Sequence, residues 1–136
     1  MASLEQGIRS ILIADSDVSG LVGTRVFPWM RQQGTTFPAI VYELDGTEPV
    51  QDFDGYAGMT RAELSISSIA ETYGGAKTLA AHVLDALNGY TGTPTDGVAI
   101  NSFVHDNDIG IVEDSQIGNS RGVSIIESSY IVWYTD

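Results

Sequence analysis

The sequence predicts an α+β fold: one mostly antiparallel or mixed β-sheet of five to six strands, with two helices packed on one face. Three observations carry this. Two segments hold a single apolar stripe at helical spacing. Several shorter segments are rich in β-branched residues or alternate with period two, bounded by Gly, Pro and Asp. The order along the chain reads helix, three strands, helix, three strands. At 136 residues the chain is expected to form one domain, 1–136, and to bury roughly 68% of its unfolded surface without cross-links.

Each element follows from its residues. In "SLEQGIRSILIA" the positions Leu4, Ile8, Ile11 and Leu12 form one helix stripe, with Ser3 as N-cap. "DSDVSGLVG" is turn-rich and leaves room for a short helical turn before Gly23. "TRVFPW" reads as a short strand stopped by Pro28, which cannot donate to a ladder. "MRQQGTT" is a loop, and "FPAIVYELDG" a strand opened by Pro38 and closed by Asp45-Gly46. Residues 47–60, "TEPVQDFDGYAGMT", hold no sustained period and read as a long loop or hairpin tip. "RAELSISSIA" alternates as a half-buried strand. The strongest helix is "TYGGAKTLAAHVLDALNG", striped by Ala76, Leu79, Ala80, Val83, Leu84 and Leu87, capped by Thr72 and closed by Gly89 at the position after the C-cap. "VAINSFV" is a strand, "HDND" a turn, "IGIVED" a short strand and "SQIGNSRG" a turn before the terminal strand.

That last strand, "GVSIIESSYIVWYTD", is apolar on both parities. A strand sends successive side chains to opposite faces, so both of its faces are expected to be at least partly covered. Ile126, Tyr130, Val132 and Tyr134 form the longer apolar set and are assigned to the helices. Ile125, Ile131 and Trp133 then point away, with Glu127 and Ser129 marking where that side is wetter.

Composition excludes more than it selects. There is no cysteine, hence no disulfide or thiolate metal site. No apolar run approaches the ~20 residues of a membrane helix, and "MASLEQGIRS" lacks the apolar core of a signal peptide. The chain is therefore expected to work, or be assembled, in the cytoplasm. Eighteen acids face six bases, a net charge of −12. With no basic stripe to release counterions, such a surface repels nucleic-acid phosphates.

Catalytic motifs are missing. There is no phosphate-binding glycine loop, no dinucleotide fingerprint and no nucleophile elbow. Two histidines cannot supply a zinc site. His82 reads as a residue flanking the helix stripe and His105 as the start of a turn. The acid-rich stretches starting at Asp52 and Asp106 fail the spacing of an EF-hand loop: Asp52 puts Tyr56 at the fifth position, and Asp106 puts Gly110 there and Ile117 at the twelfth. At most they suit a loose surface cation site. No serine is placed beside a base. No catalytic residue, cofactor or metal is assigned, which leaves a structural assembly protein or a binding module.

Four stretches in order resemble the tail completion proteins of long-tailed bacteriophages, also called tail terminators. They are "LVGTRVFPW" (Leu21 to Trp29), "FPAIVYEL" (Phe37 to Leu44), "AKTLAAHVLDALNGYTG" (Ala76 to Gly92) and "SYIVWYTD" (Ser129 to Asp136). Together they span nearly the whole chain. The stretch 93–110 departs from the family's pattern, which leaves that hairpin and its partner without an assignment. The resemblance implies an α+β virion subunit without catalysis or cofactor. It also implies a homo-oligomeric ring, commonly a hexamer, at the tail end or neck. Its partners would be the tail tube protein and a head–tail connector or head-closure protein, and DNA would pass through without specific binding.

In that setting Glu43, Asp45 and Glu48 are expected to face the lumen. Asp52, Phe53, Asp54, Tyr56 and Trp133 are expected at a subunit or partner interface, with a long loop of the same subunit as the alternative cover for Trp133. No base occurs between Arg31 and Arg61 to neutralise the acids of residues 43–54. A tail tube or minor tail subunit, which would stack into fibres, and a small-molecule binding module are the competing readings.

Overall fold

A computed structural model describes residues 3–28, 37–52, 55–113 and 123–135. The elements are α1 (Leu4–Ala14), α2 (Ser16–Val22), β1 (Val26–Pro28), β2 (Ala39–Asp52), β3 (Gly55–Ala70), α3 (Tyr73–Leu87), β4 (Ala99–Glu113) and β5 (Val123–Thr135). The strands form one mixed sheet in the order β1-β2-β3-β5-β4. β1 runs parallel to β2, and all other pairs are antiparallel. The expected α+β architecture holds, with three helices and five strands.

The helix ends are set by short polar side chains. Ser3 accepts from the Gln6 N–H and starts α1. Asp15 closes α1 and opens α2, its carboxylate accepting from the N–H groups of Asp17 and Val18 at 3.0 Å. That cap turns the expected helical turn into a third helix, whose Val18 and Val22 are fully buried. Thr72 accepts from the Gly75 N–H and starts α3. Beyond its C-cap Asn88, Gly89 has φ +80°, a conformation that favours glycine. α1 lies so close to the segment before β4 that a Cβ on Gly7 would sit 2.8 Å from the Gly97 Cα.

The helices cover one face of the sheet. Leu4, Ile8, Ile11 and Leu12 of α1 and Leu79, Val83 and Leu87 of α3 pack with Tyr42, Ala62, Leu64, Ile66, Ile100, Phe103, Tyr130, Val132 and Tyr134 in one core. Burial along β5 alternates without a break from Ser124 onward. Ile126, Tyr130, Val132 and Tyr134 are the buried set, as their parity predicts.

Two expectations are corrected. Residues 47–60 are mostly strand, since β2 continues to Asp52 and β3 begins at Gly55. "HDND" is no turn: it lies inside β4, which runs unbroken from Ala99 to Glu113. Both misreadings fall at register shifts, between Leu44 and Gly46, between Pro49 and Gln51, and between His105 and Asn107. A bulge inserts one residue and slips the alternation, which removes the period-two signal. The expected turns at "MRQQGTT" and "SQIGNSRG" lie outside the described residues.

Candidate functional site

Residues paired across a sheet share a face, so the register sorts the polar side chains. Opposite the helices, successive rows run across β2, β3, β5 and β4. Glu48 pairs with Arg61, Arg61 with Trp133 and Trp133 with Ser102. In the next row Glu63 pairs with Ile131, and Ile131 with Val104. Glu43, Ser65, Ser129 and Asn107 form the third, and Val41, Ser67, Glu127 and Ile109 the fourth. The bulged Asp45 also turns to this side, where its carboxylate accepts from the Ser65 hydroxyl. Farther along, this face closes over Ala39 and Ile69, which are buried.

The open face thus has two halves. On β2 and β3 it carries Glu43, Asp45, Glu48 and Glu63. On β5 and β4 it carries Trp133, Ile131, Ile125, Val104 and Ile109, interleaved with Ser102, Asn107, Ser129 and Glu127, with Val104 and Ile109 44% and 49% exposed. Arg61 stands at the seam. Its guanidinium bonds Glu63 at 3.0 Å and lies 6.0 Å from the Trp133 ring centroid. Arg9 and Arg25 also have local partners. Arg9 donates to the carbonyls of Val26 and Thr24, and Arg25 to those of Pro38 and Leu21. Lys77 lies near Asp108 on the helix side.

Beyond Thr60, which pairs with Tyr134, β3 has only β2 as a neighbour among the described residues. The two strands continue as a two-stranded arm, with Gln51 opposite Tyr56 and Asp52 opposite Gly55. So the predicted site residues separate. Glu43, Asp45, Glu48 and Trp133 share the open face, Asp52 and Tyr56 take their places in the arm, and Phe53 and Asp54 lie outside the described residues. Sequence reasoning missed Glu63 and Arg61, although the alternation in "RAELSISSIA" already set them opposite Leu64. It placed Val104 and Ile109 in two separate strands, because the bulge between them hid that both belong to one strand and share a face.

The histidines do not meet. His82 is half-buried on α3. The His105 Nε2 lies 2.8 Å from an Asp108 oxygen, and its ring packs edge-on against Tyr130. Burial alone would raise the Asp108 carboxyl, but hydrogen bonds from His105 and Ser128 and the nearby positive charges outweigh it and hold the group below its ordinary value. Among the described residues no group of three or more His, Asp or Glu is placed to hold a metal ion. No described helix is long and apolar enough to cross a membrane.

The geometry defines a small α+β subunit with one sheet face sealed by helices, the other open and divided, and an arm reaching past both. Residues 6–124 match the family described as Tail completion protein gp17, and the chain belongs to that family. It is therefore a structural protein of a phage-type tail, and its place is the virion. The fold is similar to that of a solved chain from the virion of a native gene transfer agent particle. That chain is 20% identical, with a TM-score of 0.70 over 98% of this chain and 95% of that one. A second solved chain, 12% identical, aligns over 94% of each chain with a TM-score of 0.45, too low to carry an argument. No curated protein matches.

Proposed function

We propose that the subunit forms a ring, a hexamer, that terminates the tail tube or joins the tail to the head, and through which DNA passes without binding. The observation that carries this reading is the acidic half of the open face. Glu43, Asp45, Glu48 and Glu63 stand together on β2 and β3, while Arg61, Arg9 and Arg25 are engaged locally. A lumen wall of fixed negative charge repels phosphates and lets the duplex slide. The partners are the tail tube on one side and the connector or head-closure protein on the other, with assembly in the host cytoplasm. The protein has no catalytic role and takes no cofactor. The likeness to a chain of a gene transfer agent virion supports a place in such a particle.

Electron micrographs of the purified protein test this. Six-fold rings are expected. Long fibres would favour a tube subunit, and a stable monomer a binding module. In a mobility-shift assay wild type should leave duplex DNA unshifted at micromolar protein and physiological salt. Rings of Glu43→Lys, Asp45→Lys and Glu48→Lys combined should retard it. A wild-type shift that added salt suppresses would refute the passive lumen.

A further inference from the structure

The apolar half of the open face needs an occupant, and the fold narrows the choice. The arm continues β3 beyond the end of the sheet where Thr60 pairs with Tyr134, with a register shift and Gly58 at φ +85° at its base. A face-to-face pair of copies would bring two surfaces of −12 subunits together over their whole area. Strand addition at the sheet edges is also opposed. The outer edge of β2 beyond Tyr42 carries Pro49, two register shifts and acids. The edge of β4 is bulged twice and clamped by the segment after α3: the Gly89 N–H donates to the Phe103 carbonyl, and the His105 N–H to the Asn88 side chain.

The arm has the complementary deficit. Among the described residues no third strand pairs with it, and a lone two-stranded ribbon is marginal in water. We infer that the β2–β3 arm of one copy seats on the apolar half of the next copy's open face, around Trp133, Ile131 and Val104. This rests on the ring reading and gives it a contact. Donor and acceptor are different surfaces, so each copy gives one arm and receives one, and in the ring reading the rotation from copy to copy closes the chain of contacts. The acidic half, left uncovered, then lines the interior.

Two variants separate the surfaces. In one, residues 51–58 are replaced by an Asn-Gly turn, removing the donor. In the other, Trp133→Glu spoils the acceptor. Each alone should remain monomeric by light scattering to at least about thirtyfold above the wild-type assembly concentration. Their mixture should give one-to-one pairs and nothing larger, because only one intact contact remains. A mixture that stays monomeric, or either variant assembling as wild type does, overturns the inference while wild-type rings stand. Wild type that never leaves the monomer overturns the ring reading along with it. Should Trp133→Glu lower the melting temperature, a second measurement decides. The chain has no cysteine, so Asp52→Cys with Ile131→Cys should give a disulfide-linked ladder on oxidation, and each single variant nothing beyond a dimer. No ladder from the double variant overturns the inference.

Discussion

Along β5, Tyr130, Val132 and Tyr134 are 1%, 0% and 9% exposed, while Ile131 and Trp133 between them remain half-buried. Both sets are apolar, so hydrophobicity did not decide which was sealed. The helices did, because α1 and α3 each carry one stripe and pack on one side only. The difference teaches that an apolar residue of this sheet has two possible employers. One face serves the subunit's own stability, and the other is the one we propose meets a neighbour.

The largest test of that division uses neighbours on β3. Leu64→Ala, on the sealed face, should cost about 2–5 kcal/mol in chemical denaturation, whereas Glu63→Ala should stay within roughly 0.5 kcal/mol. Equal losses would erase the distinction between faces. Next, Trp133→Ser should weaken ring formation far more than it weakens the subunit, read by light scattering against thermal melting. Outright unfolding would return Trp133 to the core.

The sealed face should also show itself at high pH. Burial pushes the Tyr130 and Tyr42 phenols up from 10.0. Above pH 10 the unfolded chain loses these protons while the folded one holds them longer, so stability falls as pH rises, by up to about 1.4 kcal/mol per pH unit for Tyr130. Tyr130→Phe should flatten that limb, and an unchanged limb would mean that the hydroxyl reaches water. A smaller effect sits at the rim. The Asp108 carboxyl is held below 3.8, so its contribution is present above that value and is lost as pH falls through the folded one. Asp108→Asn should cost less than about 1 kcal/mol at neutral pH, with the difference vanishing in acid. Smallest of all, His82→Gln and His105→Gln should leave assembly intact and shift melting by about 0.5 kcal/mol or less. Lost infectivity with normal assembly would reopen a catalytic role.

Much of this was legible in the residues. The stripes of α1 and α3, the caps Ser3 and Thr72, Gly89 and the parity of β5 are local signals, and each was readable alone. The extents of β2, β3 and β4 were not. Asp45-Gly46 and "HDND" carry turn chemistry, and both sit where a bulge slips the alternation by one residue. Only the partner strand, far away in sequence, shows that the ladder continues. The site was legible by composition and not by place. The acids of β2 stood out as a run, but their sharing a face with Trp133 depends on β3 lying between them.

The crowding of carboxylates on one half of an uncovered face also bears on how fast copies meet. Each approaching subunit carries −12, so encounters in dilute buffer begin against a barrier whose reach is the Debye length, about 30 Å at 10 mM salt and about 8 Å at physiological strength. The apolar contact acts only at touching distance and is nearly indifferent to ions. For the proposed ring, counterions therefore govern the tempo of assembly, which physiological salt should quicken and weak buffer slow.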